Sequence, residues 1–279
     1  MPQANIVLDE ISPHAPVGLD DALKMAELDL FTLAGAADDM REKACGDVVS
    51  FVSNRNINFT NVCVGDCAFC AFSKTPPFEL SLEQILAKVQ EASEMGATEV
   101  CIQGGLHPEM CTDDYCEMLE VIKEHYPRMH LHAFSPMEVV HGARTSGIDI
   151  RAALKELKRS GLGSMPGTAA EILVDDVRRV ICPKKLTTSE WVDVITTAHG
   201  LGIPTTATMM YGHIESWRDR IEHILLIRSI QQRTHGFTEF VPLPFMPQNN
   251  PLGERVMFSA GGVEDLKVHA IARILLFGL

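Results

Sequence analysis

Apolar residues recur at steps of three and four along much of the chain, and short runs of strand-forming residues separate those stretches. Leu19, Leu23, Ala26, Leu30 and Leu33 make one stripe, which predicts a helix over 19–33. Gly35 is expected to interrupt before a second helical piece over 36–44. Residues 48–52 predict a short strand and 56–60 the next one, and a helix over 81–95 is expected to close at Gly96. From there strand and helix alternate, with strands over 99–103, 129–134, 162–165, 205–210 and 237–243. Helices are predicted over 113–125, 150–160, 189–201, 218–233 and 263–279. Short apolar strands separated by helices favour parallel pairing through right-handed crossovers. The fold class expected is therefore α/β, a partial barrel of about six parallel strands, with an open doubly wound sheet as the alternative. Residues 1–46 read as a helical extension and 47–279 as the barrel core. The apolar stretch 270–279 ends abruptly, so the barrel is expected to be truncated at its carboxyl end.

Composition narrows the class. A chain of 279 residues can bury one large core, and an α/β barrel needs roughly 250. The net charge of −13 disfavours nonspecific binding to nucleic acid. No apolar run approaches the ~20 residues of a membrane span. Met1-Pro2-Gln3-Ala4-Asn5 lacks the basic and apolar regions of a secretory signal, which points to a cytoplasmic location. Of eight cysteines, Cys63, Cys67 and Cys70 lie within eight residues, whereas Cys45, Cys101, Cys111, Cys116 and Cys182 are scattered. The scattered ones read as small apolar residues. The clustered three can converge on one inorganic body. A [4Fe-4S] cluster held by three thiolates keeps one iron open to an outside ligand, unlike the four-cysteine clusters of electron transfer. Zinc on three thiolates and a histidine is the other occupant to consider, in a non-catalytic module.

In parallel α/β folds ligands bind at the carboxyl ends of the strands, and the residues there are unusual in kind. After the cysteines come Gln103, Gly104, Gly105 and His107, then His132, Ser135 and Glu138, then Thr168 and Glu171. Tyr211, His213 and Glu215 follow the fifth strand, and Glu239, Gln248 and Asn249 belong to the sixth. Gly104-Gly105 lets a backbone approach a ligand closely, or simply makes a tight turn. Glu171 reads equally as a helix-capping carboxylate and as an acceptor for a ribose diol. His130 and His132 share a strand face, as satisfied core residues or as proton carriers, while His107 and His213 follow glycines and are expected to meet solvent or substrate. Tyr211 is either a core ring or a substrate contact. Met209-Met210 reads as packing and Phe69 as a cover over the cysteines. Arg55 and Lys74 are expected to offset negative charge there, or to be surface residues.

The CxxxCxxC spacing resembles the signature of radical S-adenosylmethionine enzymes. The run from Asn54 to Cys63, with Cys67-Ala68-Phe69-Cys70-Ala71-Phe72, resembles a narrower group within that superfamily, the CofH/MqnC/MqnE group. Its members act in deazaflavin biosynthesis and in the futalosine pathway to menaquinone. Ile102-Gln103-Gly104-Gly105-Leu106-His107-Pro108, His132-Ala133-Phe134-Ser135-Pro136 and Phe237-Thr238-Glu239-Phe240-Val241-Pro242-Leu243 also match. Gly167-Thr168-Ala169-Ala170-Glu171 leans to the deazaflavin members, whereas Gln248-Asn249-Asn250 resembles the menaquinone pair.

The resemblance implies a TIM-type radical SAM barrel whose Cys63, Cys67 and Cys70 bind the [4Fe-4S] cluster. Its open iron would chelate S-adenosyl-L-methionine, with Gln103, Gly104, Gly105, Ser135 and Glu171 around that cofactor. Tyr211, His213, His132 and Glu239 would contact substrate. The implied reaction splits L-tyrosine into 2-iminoacetate and a 4-hydroxybenzyl group and joins the latter to 5-amino-6-(D-ribitylamino)uracil, on the way to coenzyme F-420. An electron donor and a ring-closing radical SAM partner enzyme (CofG-like) are implied as partners. The alternative within the group is an aminofutalosine synthase or a cyclic dehypoxanthine futalosine synthase.

Overall fold

The computed structural model describes residues 17–72, 75–256 and 259–276. Met1 to Asn5, Lys74 and the last three positions of the expected final helix lie outside the described residues. Among the described residues there are five strands: β1 (Asn54–Asn58), β2 (Glu99–Gln103), β3 (His130–Ala133), β4 (Thr205–Tyr211) and β5 (Phe237–Pro244). All ladders are parallel, in the order β1-β2-β3 and β4-β5. Single parallel bridges from His132 to Ser164 and from Met165 to Thr205 join the two sheets. The chain thus forms the expected partial α/β barrel, open between β5 and β1. The strand predicted over 162–165 is reduced to those bridges, because Gly161 at φ 110° turns the chain in and Pro166 has no N–H to continue a ladder.

Alternation along each strand sorts the side chains. Val100, Ile102, Leu131 and Ala133 are buried against the surrounding helices. Their neighbours Glu99, Cys101, Gln103, His130 and His132 face the barrel interior. Helix Leu82–Glu94 begins in a Ser81/Gln84 capping box, and Gly96 at φ 82° follows its end, as the sequence predicts.

Three expectations change. The strand over 48–52 is absent: Val48, Val49 and Phe51 are 72, 84 and 88% exposed, and pairing with β2 begins only at Asn54. The first helix is two, Leu19–Glu27 and Leu30–Cys45. The break lies at Asp29, whose carboxylate accepts from the N–H groups of Phe31 and Thr32, and Gly35 is carried inside the second helix. Helices Pro136–Ser146 and Asp175–Ile181 were not anticipated. Ala22, Met25, Leu33 and Ala37 from the first two helices share one apolar cluster with Tyr211, Ile221 and Ile271. A second, larger cluster lies between β1–β3 and their helices.

Candidate active site

The barrel interior holds a cavity of about 900 Å³, where polar side chains stand beside apolar ones such as Phe51, Val241 and Leu243. Barrels of this class usually fill that space with layers of Val, Ile and Leu. Here strand register stacks polar residues instead. At the floor, the amino ends of the strands, Asn54 pairs with Glu99 and Glu99 with His130. One level up, Cys101 pairs with His132, which bridges to Ser164. At the rim Gln103 Nε2 donates to Thr168 Oγ1 at 2.9 Å. Thr206, Thr208 and Glu239 line the opposite wall.

The three cysteines follow β1 at the rim. Their loop is held by its backbone: Val64 N–H donates to Leu106 O, Ala68 N–H to Ile181 O, and Leu252 N–H to Ala68 O. Beside it Gly105 N–H donates to Thr60 O at 2.8 Å. A Cβ on Gly105 would stand 2.3 Å from Val62 O and 2.9 Å from Cys63 Cβ, so only glycine admits the cysteine loop there. Cys63 is exposed, Cys67 and Cys70 are partly buried, and none forms a disulfide. Among the described residues no group of three or more His, Cys, Asp or Glu side chains is already gathered as a metal site. The donor set itself, three thiols on a backbone-pinned loop beside a glycine cradle, fits a soft iron–sulfur group.

Charge around this rim is arranged by two contacts, one buried and one half-buried. Glu138 bridges the ends of β2 and β3: Gly104 N–H donates to its Oε1 at 2.9 Å and Ser135 N–H to its Oε2 at 2.7 Å. Burial pushes the Glu138 carboxyl up to about 7, against those hydrogen bonds. Glu171 is ion-paired with Lys185, and Lys185 lies 5.3 Å from the centroid of the Phe69 ring. The Lys185 ammonium is held above its ordinary range by the Glu171 charge despite its burial. Glu171 stands outside any helix, at φ 46°, so its capping reading is excluded and its carboxylate already has a cation.

Several other expected site residues fall elsewhere. Tyr211 is fully buried on the outer face of β4 and donates its hydroxyl to Asp265 Oδ1 at 3.0 Å. His213 is also buried, with Nδ1 3.0 Å from Glu215 Oε2, and Glu215 accepts from Gly212 N–H and Arg220 Nε. Neither lines the cavity. The odd residues of β4 face the helices, and the tight turn at Gly212 folds His213 back. Tyr211→Phe is therefore expected to cost about 1 kcal/mol of stability and to leave turnover within about twofold, checked by denaturant unfolding and a rate assay. His107 rests 3.6 Å from Glu79 and receives a hydrogen bond from His141 at its carbonyl. Arg55 pairs with Glu91 on the surface. Met209 and Met210 are packed in the core. Asn250 is buried and closes its own loop, accepting from Gly253 N–H and donating to Met246 O. Ser135 caps helix Pro136–Ser146, and Gln103 and His132 do line the cavity.

Residues 57–227 match the model of the radical SAM superfamily. A 5-amino-6-(D-ribitylamino)uracil–L-tyrosine 4-hydroxyphenyl transferase from Methanococcoides burtonii is 55% identical over 278 residues, covering 97% of this chain and 78% of that protein. One from Methanosarcina barkeri is 57% identical over 263 residues, covering 93% of this chain and 70% of that protein. The chain belongs to this transferase family of the radical SAM superfamily. Radical SAM proteins use S-adenosylmethionine, and the fold agrees. Methylornithine synthase superposes with a TM-score of 0.74 at 16% identity, over 98% of this chain and 76% of that one. An [FeFe]-hydrogenase maturase gives 0.76 at 15% identity, over 99% of this chain and 61% of that one.

Pattern reading also missed residues that shape this rim and the cavity. Arg178, 3% exposed, donates to the carbonyls of Ala169, Ala170, Ile172 and Leu186 and so holds the loop bearing Thr168 and Glu171. Lys185 and Ser164 were also passed over. Asp175-Asp176 followed by Arg178-Arg179 has the charge order of a short helix, a signal that could have located Arg178.

Proposed function

We propose that this chain transfers the 4-hydroxybenzyl group of L-tyrosine to 5-amino-6-(D-ribitylamino)uracil. The products are 5-amino-5-(4-hydroxybenzyl)-6-(D-ribitylimino)-5,6-dihydrouracil, 2-iminoacetate, methionine and 5′-deoxyadenosine. The observation that carries this reading is the cavity of about 900 Å³ inside the barrel, which presents Gln103, His132, Thr206, Thr208 and Glu239, in a chain more than half identical to such transferases. A cavity of that size and polarity suits an amino acid and a ribityl-substituted base together.

Cys63, Cys67 and Cys70 would hold a [4Fe-4S] cluster, which with S-adenosylmethionine supplies a one-electron route to a carbon radical. The chain's own residues position and exclude. Gln103, Gly104 and Gly105 offer amide and backbone groups at the rim, and Glu138 keeps Gly104 in place. Glu171, paired to Lys185, stands ready as the acceptor for a ribose diol. Phe69 shields the cysteine loop from water, which protects reactive intermediates. His132, Thr206, Thr208 and Glu239 offer hydrogen bonds to the ribityl and uracil groups deeper in the barrel. An electron donor and a ring-closing radical SAM enzyme complete the scheme, and residues 47–279 act as the barrel unit behind a helical extension.

Anaerobic incubation of the reconstituted protein with tyrosine, ribitylaminouracil and S-adenosylmethionine tests this. The adduct is the expected product by mass. Turnover only with menaquinone-pathway precursors would replace the reading.

A further inference from the structure

Two histidines, a serine and a glutamate form a continuous line inside the barrel. His132 Nδ1 and His130 Nε2 each lie 2.7 Å from the same atom, Ser164 Oγ. His130 Nε2 is also 3.8 Å from Glu99 Oε2, and Glu99 Oε1 accepts from Asn54 Nδ2 at 3.1 Å. The line descends from the middle level of the barrel to its floor. The sequence makes room for it: a Cβ on Gly163 would stand 2.5 Å from His130 Cε1.

We propose that His132, Ser164 and His130 form a proton path that carries the proton released in the transfer reaction from the substrate to the floor of the barrel beside Glu99. This rests on the functional reading above. In that reaction the exocyclic amine of the uracil becomes an imine. Its N–H bond breaks, a C=N π bond forms, and one electron leaves the adduct for a one-electron carrier of the iron–sulfur class. The proton needs an acceptor in the cavity.

A serine hydroxyl has one hydrogen and two lone pairs, so it can pass a proton between two imidazoles without moving. In the receptive arrangement His132 Nδ1–H donates to Ser164 Oγ and the Ser164 O–H donates to His130 Nε2. His132 Nε2 is then bare and faces the cavity, with no hydrogen-bond partner among the described residues. When Nε2 takes the substrate proton, Nδ1–H moves to Oγ as O–H moves to His130. The charge ends on His130. Burial holds the His132 imidazole below its ordinary range, so the proton does not rest there. The His130 side chain is 44% exposed and has Glu99 beside it as counter-charge. The other ionisable groups facing the line are Cys101 on β2 and Glu239 on β5. Burial pushes the Cys101 thiol up to about 12, so it stays protonated. His132 is thus the catalytic residue, and Ser164, His130 and Glu99 act through it.

Ser164→Ala removes the shared hydroxyl and Ser164→Thr keeps it. In the cluster-loaded enzyme, Ser164→Ala is read by the adduct formed for each 5′-deoxyadenosine released. Adduct formed per 5′-deoxyadenosine should fall about a hundredfold, and Ser164→Thr should restore it. A second arm does not depend on turnover: with ¹⁵N-histidine labelling, His130 and His132 should titrate together in the wild type and independently in Ser164→Ala. An unchanged adduct ratio, or imidazoles that titrate independently in the wild type, overturns the path. Wild-type protein that consumes no tyrosine would overturn the functional reading instead, and the labelling arm would then decide the path alone.

Discussion

Cys67→Ala is expected to leave a folded chain that binds at most a trace of iron and releases no 5′-deoxyadenosine. Two thiolates cannot hold a cluster that needs three. The fold should persist because the loop is fixed by the backbone of Ala68, which donates to Ile181 O and accepts from Leu252 N–H, and not by the Cys67 sulfur. The loss in stability is expected to be about 1 kcal/mol, from a partly buried sulfur atom. Iron and sulfide analysis, a denaturant melt and product chromatography check the three parts separately. A variant with full iron and normal turnover would remove Cys67 from the ligand set.

Arg178→Leu is the counterpart, with its effect on stability. The guanidinium satisfies four buried carbonyls, and two residues of the loop it holds, Ala169 and Glu171, sit at φ 65° and 46°. Non-glycine residues persist in that region only where surrounding contacts over-determine them. Leucine fills the volume but leaves the carbonyls unpaired, at a cost of about 4 kcal/mol or more. Chemical denaturation should show the drop in midpoint. Arg178→Lys should recover part of it, since an ammonium reaches fewer of the four acceptors. If the leucine variant unfolds at the wild-type midpoint, the loop is held by something else.

The regular parts of the chain were readable because local pattern and tertiary role agree there. β2 falls on the predicted span, and helix Leu82–Glu94 lies within its predicted span, since apolar alternation and a capping box are both local signals. Helix Pro136–Ser146 also had a local signal, the Ser135-Pro136-Met137-Glu138 capping box, but its short apolar stripe hid it. Residues 48–52 misled for the opposite reason. Val48, Val49, Phe51 and Val52 have strand propensity, but among the described residues no strand pairs with them.

For the site, the division follows chemistry. Cys63, Cys67 and Cys70, the glycine pair and the His130/His132 alternation are spacings within one segment, and spacing is what a sequence records. From these, with family likeness, the radical SAM class and the partial parallel barrel could be read directly. Which polar groups oppose one another could not. The Glu138 bridge spans 34 residues, the Gln103–Thr168 contact 65 and the Tyr211–Asp265 bond 54. Strand order and register bring such pairs together, giving Tyr211 and His213 acidic partners and placing Ser164 between two histidines. A side chain's partners across the barrel depend on how the strands curve round to face one another, and that is decided only when all the strands have met.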